Sequence, residues 1–381
     1  MNSDGGARMT VVQLLPALES GGVERGTLEV GRELVRHGHR SIVVSAPGRM
    51  LADLTAAGIE HVSWPIGVKS PMTLRWLLPL RRLLREQRVD ILHARSRVPA
   101  WLGYLTWRSM APAERPRFLT TVHSIYSVSA YSAIMTRGER VIAISKTVED
   151  YIKRNYAMSD HSRMRVIYRG IDEQEFAPGH RPSVAWRASF HNTFPEVPDD
   201  RPILTLPGRL VRRKGHLDFI AMLAALRHQG VTFHAMVVGG QDPRRSHYAE
   251  QVKQAVREHN LEDCMTFTGD RSDMADIYGF STIVYCPSAE PVEAFGRTVV
   301  EALNTGTPVI GYNHGGVGET LTALLPEGRV APGDIDGLLE RTMAFLRTPP
   351  QPRPNTMFTR QAMLDATLAL YEEVVGTRHL G

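Results

Sequence analysis

Short apolar runs alternate with longer amphipathic stretches along almost the whole chain. The pattern predicts strands over 11–15, 41–45, 90–93, 118–122, 141–144 and 165–168. Between them, apolar residues recur at helical spacing over 24–37, 73–87 and 99–109; Gly38 stops the first helix, and Ser145 caps another after the fifth strand. Near-continuous apolar strands separated by amphipathic helices make a parallel sheet covered on both faces. The alternation lapses over 173–200, where Pro178, Pro182, Pro195 and Pro198 leave room for a linker and one short helix. It resumes at Pro202, with strands over 203–206, 233–238, 265–267, 283–286 and 308–310 and helices over 216–227, 246–259 and 296–305. A Pro-rich stretch at 348–357 precedes a last helix over 360–375. The chain thus reads as two α/β domains, 1–172 and 201–359, joined through 173–200. Ligands of such sheets bind beyond the carboxyl ends of the strands, so two facing sheets are expected to hold their site in the cleft between them.

Composition narrows the class. With 381 residues, 43% apolar and 22% charged, the chain can build full cores without a disulfide or structural metal. The net charge of +5 hides an asymmetry: residues 1–170 hold 25 Lys and Arg against 14 Asp and Glu, and residues 171–381 hold 20 against 26. A basic front half suits an anionic ligand or surface. Two cysteines, Cys264 and Cys286, with no CxxC motif read as reduced and cytoplasmic. No run approaches the roughly 20 apolar residues of a membrane span. Arg8 followed by residues 9–18 resembles a signal peptide, but Gln13, Pro16 and the lack of a small-residue cleavage site favour a buried strand, and Met9 is an alternative start.

Three segments could carry chemistry. Gly21-Gly22, between the first strand and first helix, would let a phosphate approach the helix N-terminus; it also fits an ordinary tight turn. The dinucleotide pattern G-x-G-x-x-G is absent, which argues against a nicotinamide enzyme. Pro207-Gly208-Arg209-Leu210-Val211-Arg212-Arg213-Lys214-Gly215 follows the first strand of the second domain. Arg209 and Lys214 could clamp a diphosphate, or the loop could simply be solvated, the better reading for Arg212 and Arg213. Glu290-Pro291-Val292-Glu293-Ala294-Phe295-Gly296-Arg297 leads into Thr298-Val299-Val300-Glu301. At about 3.6 residues per turn, Glu293 and Glu301 would share one helix face, and Ala294, Phe295 and Gly296 would open that helix toward an anion. A carboxylate in an otherwise apolar helix suits a sugar or ribose diol, although capping and exposure would also explain the pair. Asp334-Ile335-Asp336 imitates a metal motif but reads as a helix cap, and His37-Gly38-His39 as a helix stop, so no metal is expected.

Glu293-Ala294-Phe295-Gly296 followed by Glu301, Gly208-Arg209 with Lys214-Gly215, Ser20-Gly21-Gly22, residues 141–145 and Arg169-Gly170-Ile171-Asp172 occur in family order. The set resembles the retaining family 4 (group 1) glycosyltransferases; at the last motif Arg169 stands where the family carries Asn. The resemblance implies a GT-B fold, with two Rossmann-like domains of parallel sheets facing an interdomain cleft and a final helix, about 360–381, crossing back to the first domain. It implies that Arg209 and Lys214 bind the donor diphosphate, that Glu301 holds the ribose, and that Glu293 with Ala294, Phe295 and Gly296 holds the sugar. It further implies His123 beside the sugar, Gly21 and Gly22 against the diphosphate or acceptor, Ser145 among the acceptor contacts, and a glycine loop at Gly315-Gly316. Arg95 and Arg97, placed at a strand end, are expected to face the cleft and meet a charged acceptor.

The first domain also carries a basic, leucine-rich stretch: Lys69, Arg75, Arg81, Arg82, Arg85 and Arg88 among Leu74, Trp76, Leu77, Leu80, Leu83 and Leu84. It fits docking on an anionic inner membrane leaflet, or a Leu face packed on the sheet with solvated arginines. The resulting expectation is a metal- and cofactor-free transferase, cytoplasmic or peripheral on the inner membrane. It would move a hexose from a nucleotide sugar, a UDP-sugar first, to a glycolipid or polysaccharide acceptor such as a lipopolysaccharide core. An epimerase or phosphorylase of the same fold is the alternative, ahead of a non-catalytic sugar-binding protein. Nucleic acid is not expected as a partner, because no aromatic-basic RNA motif is present.

Overall fold

The computed structural model describes residues 8–19, 21–156, 160–241 and 246–376. Ser20 of the glycine turn and residues 377–381 of the expected C-terminal segment lie outside the described residues. The chain divides into two compact units, one running to Tyr168 and resuming at Gln361, the other Arg169–Arg360.

Among the described residues, the first unit holds a parallel sheet of β1 (Thr10–Ala17), β2 (Arg40–Ala46), β3 (Glu60–Ser63), β4 (Ile91–Ala94), β5 (Arg117–Val122), β6 (Arg140–Ala143) and β7 (Met164–Val166). Their spatial order is β3-β2-β1-β4-β5-β6-β7. The helices are α1 (Gly22–Arg36), α2 (Leu51–Ala56), α3 (Leu77–Glu86), α4 (Arg97–Arg108) and α5 (Lys146–Asn155). The interior of β1, Val11 to Leu15, is wholly buried; its one polar residue, Gln13, donates its amide to the Thr27 carbonyl at 3.1 Å and accepts from Arg95 at 2.8 Å. Gly38, at φ +77°, ends α1: its N–H meets the Val35 carbonyl and that of His39 the Leu34 carbonyl. The single helix expected over 73–87 is instead a 3-10 segment, Pro71–Trp76, followed by α3. Pro79 stands at the third position of α3, where a missing N–H costs no helical bond, so the α-helix begins just before it. β3 and α2 escape the apolar pattern because both are short and largely exposed.

The second unit opens with α6 (Val184–Thr193) and continues with β8 (Ile203–Pro207), α7 (His216–His228), β9 (His234–Val238), α8 (Ser246–Glu258), β10 (Met265–Gly269), α9 (Met274–Phe280) and β11 (Ile283–Cys286). Then come α10 (Arg297–Asn304), β12 (Val309–Tyr312), α11 (Gly315–Leu324), β13 (Arg329–Val330) and α12 (Ile335–Arg347), after which α13 (Arg360–Gly376) leaves the second unit. This sheet is also parallel, in the order β10-β9-β8-β11-β12-β13. Within 173–200, α6 lays Trp186 and Phe190 on Phe280 and Ile277, and the indole N–H donates to Asp273 at 2.7 Å. This stretch is therefore packed into the second unit.

From Gln361 onward, α13 belongs to the first unit. Its Met363, Leu364, Leu368, Tyr371 and Val374 join a core with Val11, Val30, Leu34, Ile91 and Leu119. Tyr371 also ends a buried polar relay: its hydroxyl lies 2.6 Å from His93 Nδ1, and His93 Nε2 lies 2.7 Å from the Thr121 hydroxyl. Burial, reinforced by the nearby Arg95 cation, holds the His93 pKa well below its usual value. In the second unit burial pushes His216 down to about 4. Both histidines bind protons more readily unfolded than folded, so stability is complete above about pH 6.5 and declines as pH falls below it. We expect His216 alone to remove about 2–3 kcal/mol of urea-unfolding stability between pH ~7 and pH ~4.5. His216→Phe, which can keep the edge contact with Tyr248, should flatten that decline; an unchanged slope would rule His216 out as its source.

Candidate active site

In each sheet the strand order reverses between the first strand and the fourth, β1/β4 and β8/β11, and a crevice opens at such a switch point. The loops leaving β8 and β11 carry the charged groups of the second unit. Beyond Pro207, the Lys214 stem folds over Gly208, so closely that a Cβ there would lie 3.0 Å from Lys214 Cδ. Gly215 then reverses the chain into α7 at φ +73°, and a Cβ would lie 1.9 Å from the Pro287 carbonyl oxygen. Only glycine fits both the torsion and the gap. This turn docks the Lys214 loop against the one leaving β11.

The contact delivers Lys214 Nζ to Glu293 Oε1 as an ion pair, with the two side chains 13% and 9% exposed. Ser288 donates its hydroxyl to the same carboxylate oxygen at 3.2 Å. The Glu293 carbonyl accepts the Gly316 N–H at 2.7 Å. A Cβ at Gly316 would fall 2.5 Å from Phe295 Cα, so the loop preceding α10 rests directly on α11. The glycine pair expected from the resemblance thus supports the Glu293 loop.

Glu301 sits in a second cluster. Its Oε1 accepts from Arg297 Nε at 2.6 Å and its Oε2 from the Tyr278 hydroxyl at 3.1 Å. Burial raises its pKa, with Arg297 the largest opposing influence. The shared helix face expected for Glu293 and Glu301 does not form. α10 begins at Arg297 with Gly296 as its N-cap, so residues 293–296 are loop and helical spacing does not extend back to Glu293. For the same reason the helix N-terminus starts at Arg297, beyond Ala294 and Phe295. Arg209 is exposed and pairs with no carboxylate among the described residues. Arg212 stacks on Tyr248 and donates to Gln251, at the surface as expected.

In the first unit, Gly21 is the N-cap of α1. A Cβ at Gly22 would meet nothing, and one at Gly21 only the movable Glu24 carboxylate, so local packing does not demand either glycine. His123 directly follows β5 and is half-buried. Arg97 opens α4 with its guanidinium 4.6 Å from the Tyr126 ring and 5.2 Å from the Tyr131 ring, and donates to Ser132 at 3.2 Å. Two expectations are corrected here. Arg95 is 3% exposed and donates to Gln13 at 2.8 Å beneath α13, so it braces the core and does not face a ligand. Ser145 is fully buried and caps α5 through the Val148 N–H. The Asp334 carboxylate accepts the Gly337 N–H at 2.8 Å, a helix cap as the sequence suggested.

Sequence reasoning missed Ser288, Tyr278 and Arg297. Arg297 had a legible signal, a cation four residues before a glutamate in one helix. Tyr278 and Ser288 come from other elements and had none.

Two Rossmann-like α/β units with matching switch points, and a lysine–glutamate pair and a buried glutamate beyond the strands of the second, define a GT-B glycosyltransferase architecture. Residues 20–175 match the model of Glycosyltransferase Family 4 and residues 190–359 that of Glycosyl transferases group 1; the chain is a group 1 glycosyltransferase that draws on a nucleotide-sugar donor. It is 28% identical to the 2-deoxystreptamine N-acetyl-D-glucosaminyltransferase of Streptomyces fradiae, over 88% of this chain and 80% of that protein. It is 29% identical to a GDP-mannose-dependent alpha-mannosyltransferase of Mycobacterium tuberculosis, over 85% of each. The solved glycosyltransferase of Rickettsia africae superposes with a TM-score of 0.83 at 28% identity, covering 97% of this chain and 99% of that one.

Proposed function

We propose that the enzyme is a retaining, metal-independent hexosyltransferase acting on a cell-envelope glycolipid or polysaccharide, with a UDP-sugar as its first candidate donor. The observation that carries this reading is the Lys214–Glu293–Ser288 cluster beside the β8/β11 switch point. Breaking the bond from the sugar C1 to the β-phosphate oxygen leaves negative charge on the departing diphosphate. Arg209 and Lys214 are the cations that receive it, as a fixed electrostatic cradle. Glu293 and the 294–296 loop hold the hexose, and Glu301 accepts the ribose hydroxyls. From the first unit, Gly21 and Gly22 admit the phosphates, His123 flanks the sugar and Arg97 meets the acceptor. Arg95 and Ser145 have no part in this scheme. Among the described residues no helix is long and apolar enough to cross a membrane, and the basic first unit is the side proposed to meet an anionic leaflet.

A panel of UDP-, GDP- and ADP-sugars, scored by thermal shift and then by NMR of the products, tests the reading. We expect one nucleotide to stabilise the protein, the anomeric configuration to be kept in the product, and transfer to persist in EDTA. Stabilisation by GDP-sugars alone, as the mannosyltransferase relative would suggest, would replace the UDP assignment. Conversion of donor without acceptor would identify an epimerase, and a requirement for added divalent cation would refute the metal-independent scheme.

A further inference from the structure

The first unit contains a cavity of about 610 Å³ whose lining is almost wholly apolar. One wall is a single face of α4, where Val98, Trp101 and Leu105 recur at helical spacing; the opposite wall is the 68–76 segment, contributing Val68 and Leu74. Tyr131 closes one end and accepts the Trp101 indole N–H on its carbonyl at 3.0 Å. The walls are fixed: Ser70 caps the 3-10 segment through the Met72 N–H, and the Thr73 hydroxyl donates to the Val68 carbonyl at 2.7 Å. Val68, Leu74 and Leu105, three of the eight large exposed apolar side chains among the described residues, line the cavity, and Met72 lies on the same 71–76 segment. A soluble surface rarely gathers apolar groups in this way without a ligand to cover them.

Charge indicates what kind of ligand. No carboxylate lines the cavity, and Lys69 lines it with its ammonium 5.9 Å from the Tyr131 ring. Arg97 stacks on the same ring, and Arg75 lies 5.0 Å from the Trp76 ring. Arg82 and Arg85, by contrast, are already paired with Glu86 and Glu114. Lys69 in the lining, Arg97 on the Tyr131 ring and Arg75 on the 71–76 wall therefore bring positive charge to the cavity. The volume lies within the range of about 300–1,000 Å³ typical of small-molecule sites. Because Arg97 opens α4 directly beyond β4, the cavity runs from the carboxyl edge of this sheet along α4.

We propose that this cavity takes the hydrocarbon chain of a phosphate-bearing lipid acceptor, with the phosphate resting on Lys69 and Arg97. The proposal deepens the transferase reading, on which it rests, by making the acceptor an anionic amphiphile. The probe is dodecyl phosphate below its micelle concentration, titrated calorimetrically into the full chain, with dodecyl maltoside as the neutral comparison. We expect the phosphate to bind about tenfold more tightly than the maltoside, and Lys69→Glu to remove that preference. Leu105→Glu, a change at a partly exposed side chain, should weaken the phosphate about 10–100-fold while donor hydrolysis stays at the wild-type rate. Equal binding of both amphiphiles, or undiminished binding in Leu105→Glu, would overturn the proposal. So would a wild-type dimer in sedimentation that Leu105→Glu dissolves, since the occupant would then be a second copy. Absence of donor hydrolysis in the wild type would refute the transferase reading alone, because the binding data stand without it.

Discussion

Replacing Lys214 by methionine is expected to cut sugar transfer by about 10²–10³-fold, because in the proposed scheme it removes one of the two cations that receive the departing diphosphate. The same change should also lower stability. Glu293 is 9% exposed and has Lys214 as its ionic partner. A buried charge that loses its partner costs on the order of 3–5 kcal/mol. The two losses can be separated. In Lys214→Met with Glu293→Gln no unpaired charge remains, so urea unfolding should return toward the wild-type midpoint while transfer stays at or below the level of the single variant. Recovery of activity along with stability would mean that Lys214 matters only as a counter-ion. Wild-type transfer in the single variant would remove Lys214 from the reaction. Donor affinity provides a further distinction: a cation that acts mainly on the leaving group lowers kcat more than it raises KM.

The sequence conveyed the alternation of strands and helices because parallel strands buried on both faces must be nearly continuously apolar, as β1 is but for Gln13. It conveyed the order of the motifs, and hence which loops carry charge, because those loops follow strand ends. Pairing across loops was beyond its reach. That Lys214 meets Glu293 depends on Gly215 fitting against the Pro287 carbonyl, a contact between segments more than seventy residues apart. Helix onset was misjudged at 294–296 because this stretch rests on Gly316, and tertiary contact overrides helical propensity. Arg95 was misplaced for a related reason, and of the two readings of Ser145, helix cap and acceptor contact, the burial favours the cap. A polar residue at a strand end can point to a ligand or cap and brace its own domain, and only packing decides. In this molecule α13, remote in sequence, covers Arg95.

Glu301→Ala is expected to abolish measurable donor binding and, with it, transfer. The carboxylate is the acceptor for two groups in the free protein, Arg297 and the buried Tyr278 hydroxyl, and a ribose diol offers the same kind of donors. Its removal leaves the Tyr278 hydroxyl buried without that partner, which costs about 1–3 kcal/mol of stability. Tyr278→Phe is the control: it deletes the hydroxyl and leaves Glu301 paired with Arg297, so donor binding should change little. The ionised form of Glu301 is the one able to accept both ribose hydroxyls, and burial already raises its pKa. Donor affinity should therefore weaken on the acid side at a higher pH than an ordinary carboxylate would give. Arg297 is the main influence holding that pKa down, so Arg297→Gln should move the acid limb of the donor-affinity profile to still higher pH, and Arg297→Lys should restore it in part. An acid limb that stays in place when Arg297 is removed would show that Glu301 ionisation does not govern donor binding, and the ribose contact would then have to be sought elsewhere in the second unit.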